Sequence, residues 1–404
     1  MKLFNNYIVN TFKSSKYLGD SFGVVFEHQY LENIDDPEDW SPLMIYDGFI
    51  KSLDLQLELF KKNLLIHDPV PENFTYNNNF LLLDFGSISR FDRIIVGKNP
   101  IYWNINQFFY NKYVPSFFER LVKSSINSND FFKNKINNTL YGFFNYDERN
   151  IYEEIRKKLF VLSENRLFNN AYSLIKKYIE DFKPKINFDI VNFFNTSYIE
   201  NNISEFELKY VDLINTELDK KVLVLFLGKN IEKNFIKILS RICIHKNNIF
   251  IANNSKEMTD SLYYFKKEKN LNNIRTLFTD LFSENNAHQK NSICDFHKRY
   301  KVNSLIAFDV FSNLIFDSKL NFDEIFKCFS ELTENFLVFD FDKKINNFFS
   351  VDFLESLKKN GYNFKNMMKY HDKYFIAKKI LTLKDNRYII LSKKKSRILG
   401  GKKL

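Results

Sequence analysis

Polar residues whose type and spacing suit chemistry gather in two places. In His67–Ser89, HDPVPENFTYNNNFLLLDFGSIS, Asp68 and Asn73 precede a short predicted hairpin with the turn Asn77-Asn78-Asn79, and Asp84 and Ser87 follow it. Folding the hairpin brings Asp68, Asn73 and Asp84 towards one end of it, on loops of the kind that carry site residues. Two carboxylates and an amide there can bind a polar acceptor or a metal ion. The structural alternative is that Asp68 and Asn73 satisfy backbone groups in a Pro-containing turn, while Asp84 closes a strand. The second group follows apolar runs in the C-terminal half: Gly228, Asn230, Asn253, Asp280, Asp309 and Ser312. At the first of these, Val222–Leu225 runs through Leu227-Gly228 into a helical pattern at Ile231–Ile244. A buried strand that passes through a glycine to a helix suits a nucleotide, because backbone approaches the ligand at the glycine and the helix start offers free N–H groups.

The elements that must position these residues differ between the two halves. After a mixed stretch over 1–35, an apolar stripe at Ile45, Phe49, Leu53, Leu57 and Phe60 predicts a helix, which delivers the chain to a short strand, Leu64–Ile66. Trp103, Gln107 and Phe108 fall on a further predicted helix, and helical periodicity continues at Ile151–Phe160 and Leu167–Phe182. Pro184 and the polar run Asn195–Ser204 mark a boundary. Beyond it strands and helices alternate: Asn248–Ala252, Lys256–Lys267, Ile274–Phe278, Ser304–Phe308, Phe322–Leu332 and Phe336–Phe341. Two last strands, Tyr374–Leu383 and Tyr388–Leu391, flank a turn. Alternation of this kind predicts parallel pairing through crossover helices, with ligands bound beyond the carboxyl ends of the strands. The expected organisation is a helix-rich α+β domain over 1–195, a doubly wound, mostly parallel α/β domain with a terminal antiparallel hairpin over 205–392, and a basic tail over 393–404.

Composition bounds what these domains can do. The 404 residues are 45% hydrophobic, with 46 Phe and 22 Tyr, which is ample for packed cores. Abundant Asn, Lys, Ile and Phe beside 10 Gly and 7 Pro suggests drift in an AT-rich genome. The formal net charge of +10 is partly a property of the tail, where Lys393, Lys394, Lys395, Arg397, Lys402 and Lys403 cluster. No arginine-rich helix, zinc-finger spacing or aromatic RNA-binding signature accompanies it, so no nucleic-acid partner is expected. Three cysteines, Cys243, Cys294 and Cys328, exclude a disulfide framework and suit a reducing compartment. Cys294-x-x-His297 lacks a second half-site, so no metal centre is expected. With no signal peptide and no apolar run of about 18 residues, a cytoplasmic protein without a membrane span is expected.

The order of the C-terminal elements resembles the class I S-adenosylmethionine-dependent methyltransferases. It is similar in particular to a bacterial, nodulation-associated family with its own N-terminal domain. The stretch from Asp36-Pro-Glu-Asp-Trp40 through Leu53–Phe60, then Asp68, Asn73, Asp84 and Ser87, then Trp103, Gln107, Phe108 and Pro115, stands where that family's pattern expects it. Arg299–Phe341 resembles its fourth and fifth strands. The resemblance implies S-adenosylmethionine held by Gly228, Asn230, Asn253 and Asp280, and a small-molecule or glycan acceptor bound by Asp68, Asn73, Asp84 and Ser87. It places Asp309, Ser312 and Asn313 at the reacting centre, the last two where the family has a His-His pair. Neither can serve as an ordinary base at neutral pH, which leaves the nearby Asp309. The cofactor motif is degenerate: Phe226 replaces an acidic residue, Glu232 replaces a glycine, and Asn253-Asn254 replaces the acid that takes the ribose hydroxyls. A different resemblance competes. Asp68, Asn73 and Asp84-Phe85-Gly86 look like the catalytic loop and magnesium-binding Asp-Phe-Gly of kinases, although no glycine-rich nucleotide loop precedes them. A scaffold that retains the methyltransferase fold without catalysis is the third possibility.

Overall fold

The computed structural model describes residues 11–13, 26–28, 31, 35–62, 64–66, 68–77, 79–90, 117, 176, 179–180, 183–199, 205–218, 221–225, 248–279, 300, 302–316, 320–342, 361–382 and 387–395. The chain forms two compact units, Met1–Lys185 and Ile186–Leu404. In the first, β1 (Thr11–Lys13) pairs with β2 (Phe26–His28), and the predicted helix is α1 (Pro42–Phe60). Ser41 caps α1 by accepting the Met44 N–H, and Pro42 occupies its first turn, where a missing N–H costs nothing. The expected stripe is buried at Ile45, Phe49 and Leu53, but the helix also buries Ser52 and Gln56. Gln56 is inside because its Oε1 accepts the N–H of Ile66 at 3.0 Å, which fixes strand β3 (Leu64–Ile66) against the helix.

The hairpin after β3 is β4 (Phe74–Asn77) and β5 (Asn79–Leu82), and β6 (Ile88–Arg90) returns to pair with β3. Aromatic side chains hold the hairpin to α1. Phe74 stacks on Phe80 with ring centroids 4.8 Å apart, Trp40 meets Tyr76 edge-on at 5.2 Å, and the Tyr76 hydroxyl donates to the Met44 carbonyl. Gly48 allows this approach: a Cβ there would stand 2.8 Å from Phe80.

The second unit contains the expected doubly wound sheet. Its strands are β7 (Lys221–Leu225), β8 (Asn248–Asn253), β9 (Ile274–Phe278), β10 (Ser304–Ala307), β11 (Phe336–Asp342), β12 (Phe375–Thr382) and β13 (Arg387–Lys394), in the spatial order β12-β13-β11-β10-β7-β8-β9. β7 to β11 are parallel, and β13 lies antiparallel between β11 and β12. Val222–Leu225, Ile249–Asn253 and Ser304–Ala307 are buried throughout, as expected of parallel strands covered on both faces. Helices α2 (Phe188–Ile199), α3 (Glu205–Glu217) and α4 (Lys256–Lys269) supply residues such as Phe194, Tyr210 and Leu262 to one face. Helices α5 (Phe311–Phe316), α6 (Phe322–Leu332) and α7 (Phe364–Tyr374) cover the other with Phe311, Phe326, Phe329 and Met367. Each such side chain contributes about 1.5–3 kcal/mol of burial. A capping box, Asn321 with Glu324, starts α6.

Two boundaries differ from expectation. The units divide ahead of the expected 195–205 boundary, because α2 already belongs to the second unit: Phe194 packs against Phe265 of α4 at 5.4 Å. The expected tail starts too early as well. Lys393 and Lys394 are part of β13, where Lys393 pairs with Phe336 and the Lys394 ammonium donates to the Thr333 carbonyl.

Candidate functional site

The strand order turns back beside β7, whose neighbours are β8 and β10, so the carboxyl ends of these strands define the rim of a topological switch point. Phe308, just beyond β10, donates its N–H to the Leu225 carbonyl and closes that end of the sheet. Asp309 follows with φ of 47°, a left-handed conformation that costs most L-residues about 1–2 kcal/mol but that Asp tolerates better. Its N–H donates to Asp340 Oδ1 at 2.8 Å, while Asp340 Oδ2 accepts from Arg387 Nε at 2.9 Å. The Arg387 guanidinium also lies 5.4 Å from the Phe308 ring centre. The Asp340 side chain is 2% exposed and that of Arg387 13%, so this is a buried ion pair that sets the backbone bend at the rim. Burial, and then the Asp340 carboxylate, push the nearby Tyr210 hydroxyl well above its usual pKa.

On the other side of β7, Asn253 ends β8 and is buried. Its Oδ1 accepts the N–H of Ser255, and Ser255 in turn caps α4, so the side chain shapes the turn into the helix. Thr279, after β9, donates its N–H to the Asn253 carbonyl at 3.0 Å. The Lys256 ammonium lies 5.7 Å from the Phe278 ring, and burial lowers its pKa, opposed by Asp260. The described rim therefore combines apolar strand ends with the polar residues Asn253, Asn254, Lys256 and Thr279 on one side of β7, and with exposed Asp309 over the buried Asp340–Arg387 pair on the other.

The expected site residues fall as follows. Asp309 is exposed at the rim, Asn313 is half-buried, and Ser312 lies with it on the short helix α5. Gly228, Asn230 and Asp280 lie outside the described residues, as do Phe226, Glu232, Trp103, Gln107, Phe108, Pro115 and the helices expected over 151–182, save residues 176 and 179–180. In the first unit the structure joins the predicted loop residues in pairs. Asn73 Nδ2 donates to the Asp68 carbonyl at 2.7 Å, and the Ser87 hydroxyl donates to the Asp84 carbonyl at 2.6 Å. Leu83 N–H donates to the Asn73 carbonyl, which links the two loops through the backbone. Asn73 and Ser87 thus spend side-chain hydrogen bonds on local backbone, while the Asp84 residue is exposed and Asp68 half-buried. Among the described residues, no group of three or more His, Cys, Asp or Glu side chains is placed to hold a metal ion.

Asp340 and Arg387 were not anticipated from the sequence. The available signal was a carboxylate inside the apolar run Phe336–Asp342, since a buried charge requires a partner.

No protein-family model matches the chain, and no curated protein matches it. Solved structures similar to it include a SAM dependent methyltransferase from Aquifex aeolicus, at 9% identity and TM-score 0.29, covering 50% of this chain and 97% of that one. Another is a methyltransferase from Geobacter sulfurreducens, at 10% identity and TM-score 0.31, covering 55% of this chain and 96% of that one. A third is precorrin-6y C5,15-methyltransferase from Geobacter metallireducens, at 9% identity and TM-score 0.29, covering 46% of this chain and 87% of that one.

Proposed function

We propose that the second unit binds S-adenosylmethionine at the rim between β7, β8 and β10 and transfers its methyl group to a small-molecule or glycan acceptor. The observation that carries this is the strand order: a parallel sheet with its switch point at β7, and an antiparallel strand inserted between β11 and the edge. Buried Asn253 at the end of β8 and Thr279 at the end of β9 fit a nucleoside in having polar groups beside apolar strand ends. The fit is to a neutral contact, because Asn253 supplies no charge and its Oδ1 already holds the Ser255 N–H. Recognition of the ribose hydroxyls is correspondingly weaker than with a carboxylate.

When bound, the cofactor supplies a methyl group on a sulfonium, a good leaving group, so positioning of the acceptor accounts for most of the protein's contribution. Asp309 is the residue assigned to receive the acceptor's proton, since it is a carboxylate exposed at the rim. The ion pair of Asp340 with Arg387 acts through it, by holding the Asp309 backbone. Ser312 and Asn313, on the following helix, orient the acceptor. Asp68, Asn73, Asp84 and Ser87 of the first unit carry a separate assignment, to a polar ligand bound on their own loops.

Thermal unfolding with added ligand tests the proposal. At a ligand concentration about 100 times Kd, binding adds about 2.7 kcal/mol, which raises Tm by about 5–11 °C for a unit of this size. S-adenosylmethionine and its demethylated product are expected to do this, and Gly228→Phe to abolish it. A response to ATP with magnesium alone, lost in Asp84→Ala, would replace the proposal with a phosphotransferase.

A further inference from the structure

The positive charge of this chain sits at one end of it. Residues 364–404 contain 13 Lys and Arg against 2 Asp and Glu; with 59 and 49 in the whole chain, 46 and 47 remain elsewhere. Drift towards lysine codons would raise lysine throughout and would not strip acids from one segment. The described part of that segment is α7 with the hairpin β12–β13, at one edge of the sheet. α7 turns Met367 and His371 inward, and Lys365, Lys369 and Lys373, at successive four-residue steps, are exposed. On β12 the register shift turns Ile376, opposite Lys393, and Ile380, opposite Ile390, to opposite faces of the sheet. They are 48% and 43% exposed, and the exposed Lys378 and Lys379 lie between them along the edge. Lys393, opposite Ile376 on β13, is exposed too. The facing acids are few. Asp323 of α6 pairs with Lys373 at 3.0 Å, Glu324 and Glu331 share that helix, and Asp372 lies beside His371. β12 carries none.

We propose that this edge docks on an anionic lipid surface. The apolar residues exposed among the lysines are aliphatic, and aliphatic side chains flanked by ammonium groups suit the boundary between acyl chains and lipid phosphates. A nucleic acid would be met by arginine forks and open aromatic platforms. Here the tyrosines are half-buried and engaged: Tyr388 stacks on Phe364 at 4.2 Å, and the Tyr374 hydroxyl bonds to Asp323. Pairing of β12 with a second copy of the chain is opposed by its lysines and by the register shift between Ala377 and Lys379. No helix among the described residues is long and apolar enough to cross a membrane, so the contact is peripheral. The docking edge stands apart from methyl transfer and needs no cofactor.

Co-sedimentation of the full chain with vesicles tests this. Binding is expected to vesicles of phosphatidylcholine with phosphatidylglycerol, not to phosphatidylcholine alone, and to weaken as salt rises. Each lysine near such a surface contributes about five-fold, so replacing Lys378 and Lys379 together by Gln is expected to weaken binding about 25-fold. Ile376→Ser with Ile380→Ser is expected to weaken it at unchanged charge. All four side chains are exposed, so circular dichroism of these variants stays native; a variant that loses it is replaced by Lys365→Gln with Lys369→Gln. Absence of binding to anionic vesicles overturns the proposal. So does tighter binding to a mixed-sequence RNA that ignores the isoleucine pair.

Discussion

Replacing Asp340 by Ala is expected to be among the most damaging single changes in the second unit. The carboxylate accepts from Arg387 Nε at 2.9 Å and from the Asp309 N–H at 2.8 Å, and its side chain is 2% exposed. Removing it takes the carboxylate away from the Nε of a guanidinium whose side chain is itself only 13% exposed. Breaking a buried pair from one side costs about 3–5 kcal/mol. For a unit of this size that corresponds to a fall in Tm of about 6–20 °C. Replacing both partners, Asp340→Leu with Arg387→Met, removes both charges but still takes the acceptor from the Asp309 N–H, and is expected to lose about 1–3 kcal/mol. The assay is urea unfolding followed by circular dichroism, run as a double-mutant cycle of Asp340→Ala and Arg387→Ala. The cycle is expected to show a coupling above about 2 kcal/mol, within the range seen for contacting residues. Additive losses, or a loss below about 1 kcal/mol in the single Asp340 variant, would refute the assignment of this pair as the brace of the rim.

Other perturbations separate structural from functional roles. Asp309→Gly relieves a left-handed residue and is expected to hold or raise stability by up to about 1 kcal/mol, while methyl transfer to an acceptor that must lose a proton falls; an unchanged rate would remove Asp309 from the chemistry. Gly48→Ala drives a methyl group against Phe80 and is expected to destabilise the first unit by about 1–3 kcal/mol, read by thermal unfolding. His371 is buried against Phe326, Phe339 and Phe375, with Nε2 at Ser392 and Nδ1 at Asp372; burial lowers its pKa, and the Asp372 contact opposes this only in part. Its stability contribution is therefore complete above the unfolded value of about 6.5 and is lost as pH falls through the lower folded value. The unfolding free energy should drop over that acidic window, and His371→Gln should flatten the drop.

The sheet was legible because its central parallel strands are largely apolar runs, and Val222–Leu225 and Ser304–Ala307 lie where those runs predict. The hairpin of Phe74–Leu82 was equally plain from its Asn-rich turn. The ion pair at the rim was hidden, because Asp340 and Arg387 are 47 residues apart and meet only through the β11–β13 register. Asn253 was legible as a polar residue beside a strand but not in its local role, and for Asn73 the backbone role stood only as one of two readings, since an amide that closes its own turn has the same sequence signature as one that meets a ligand. The first residues of the basic tail were misplaced for a related reason. Lysines read as solvated, yet their backbones complete β13 and the Lys394 ammonium donates to the Thr333 carbonyl.

Hydrogen exchange read by mass spectrometry, with and without S-adenosylmethionine, tests the central claim where it is made. Peptides spanning Asn248–Asp260 and Val302–Phe316 are expected to gain protection on addition of the cofactor, because they carry the strand ends at which it is placed. Unchanged exchange in both, at saturating cofactor, or protection confined to residues 1–185, would contradict a cofactor site on this rim.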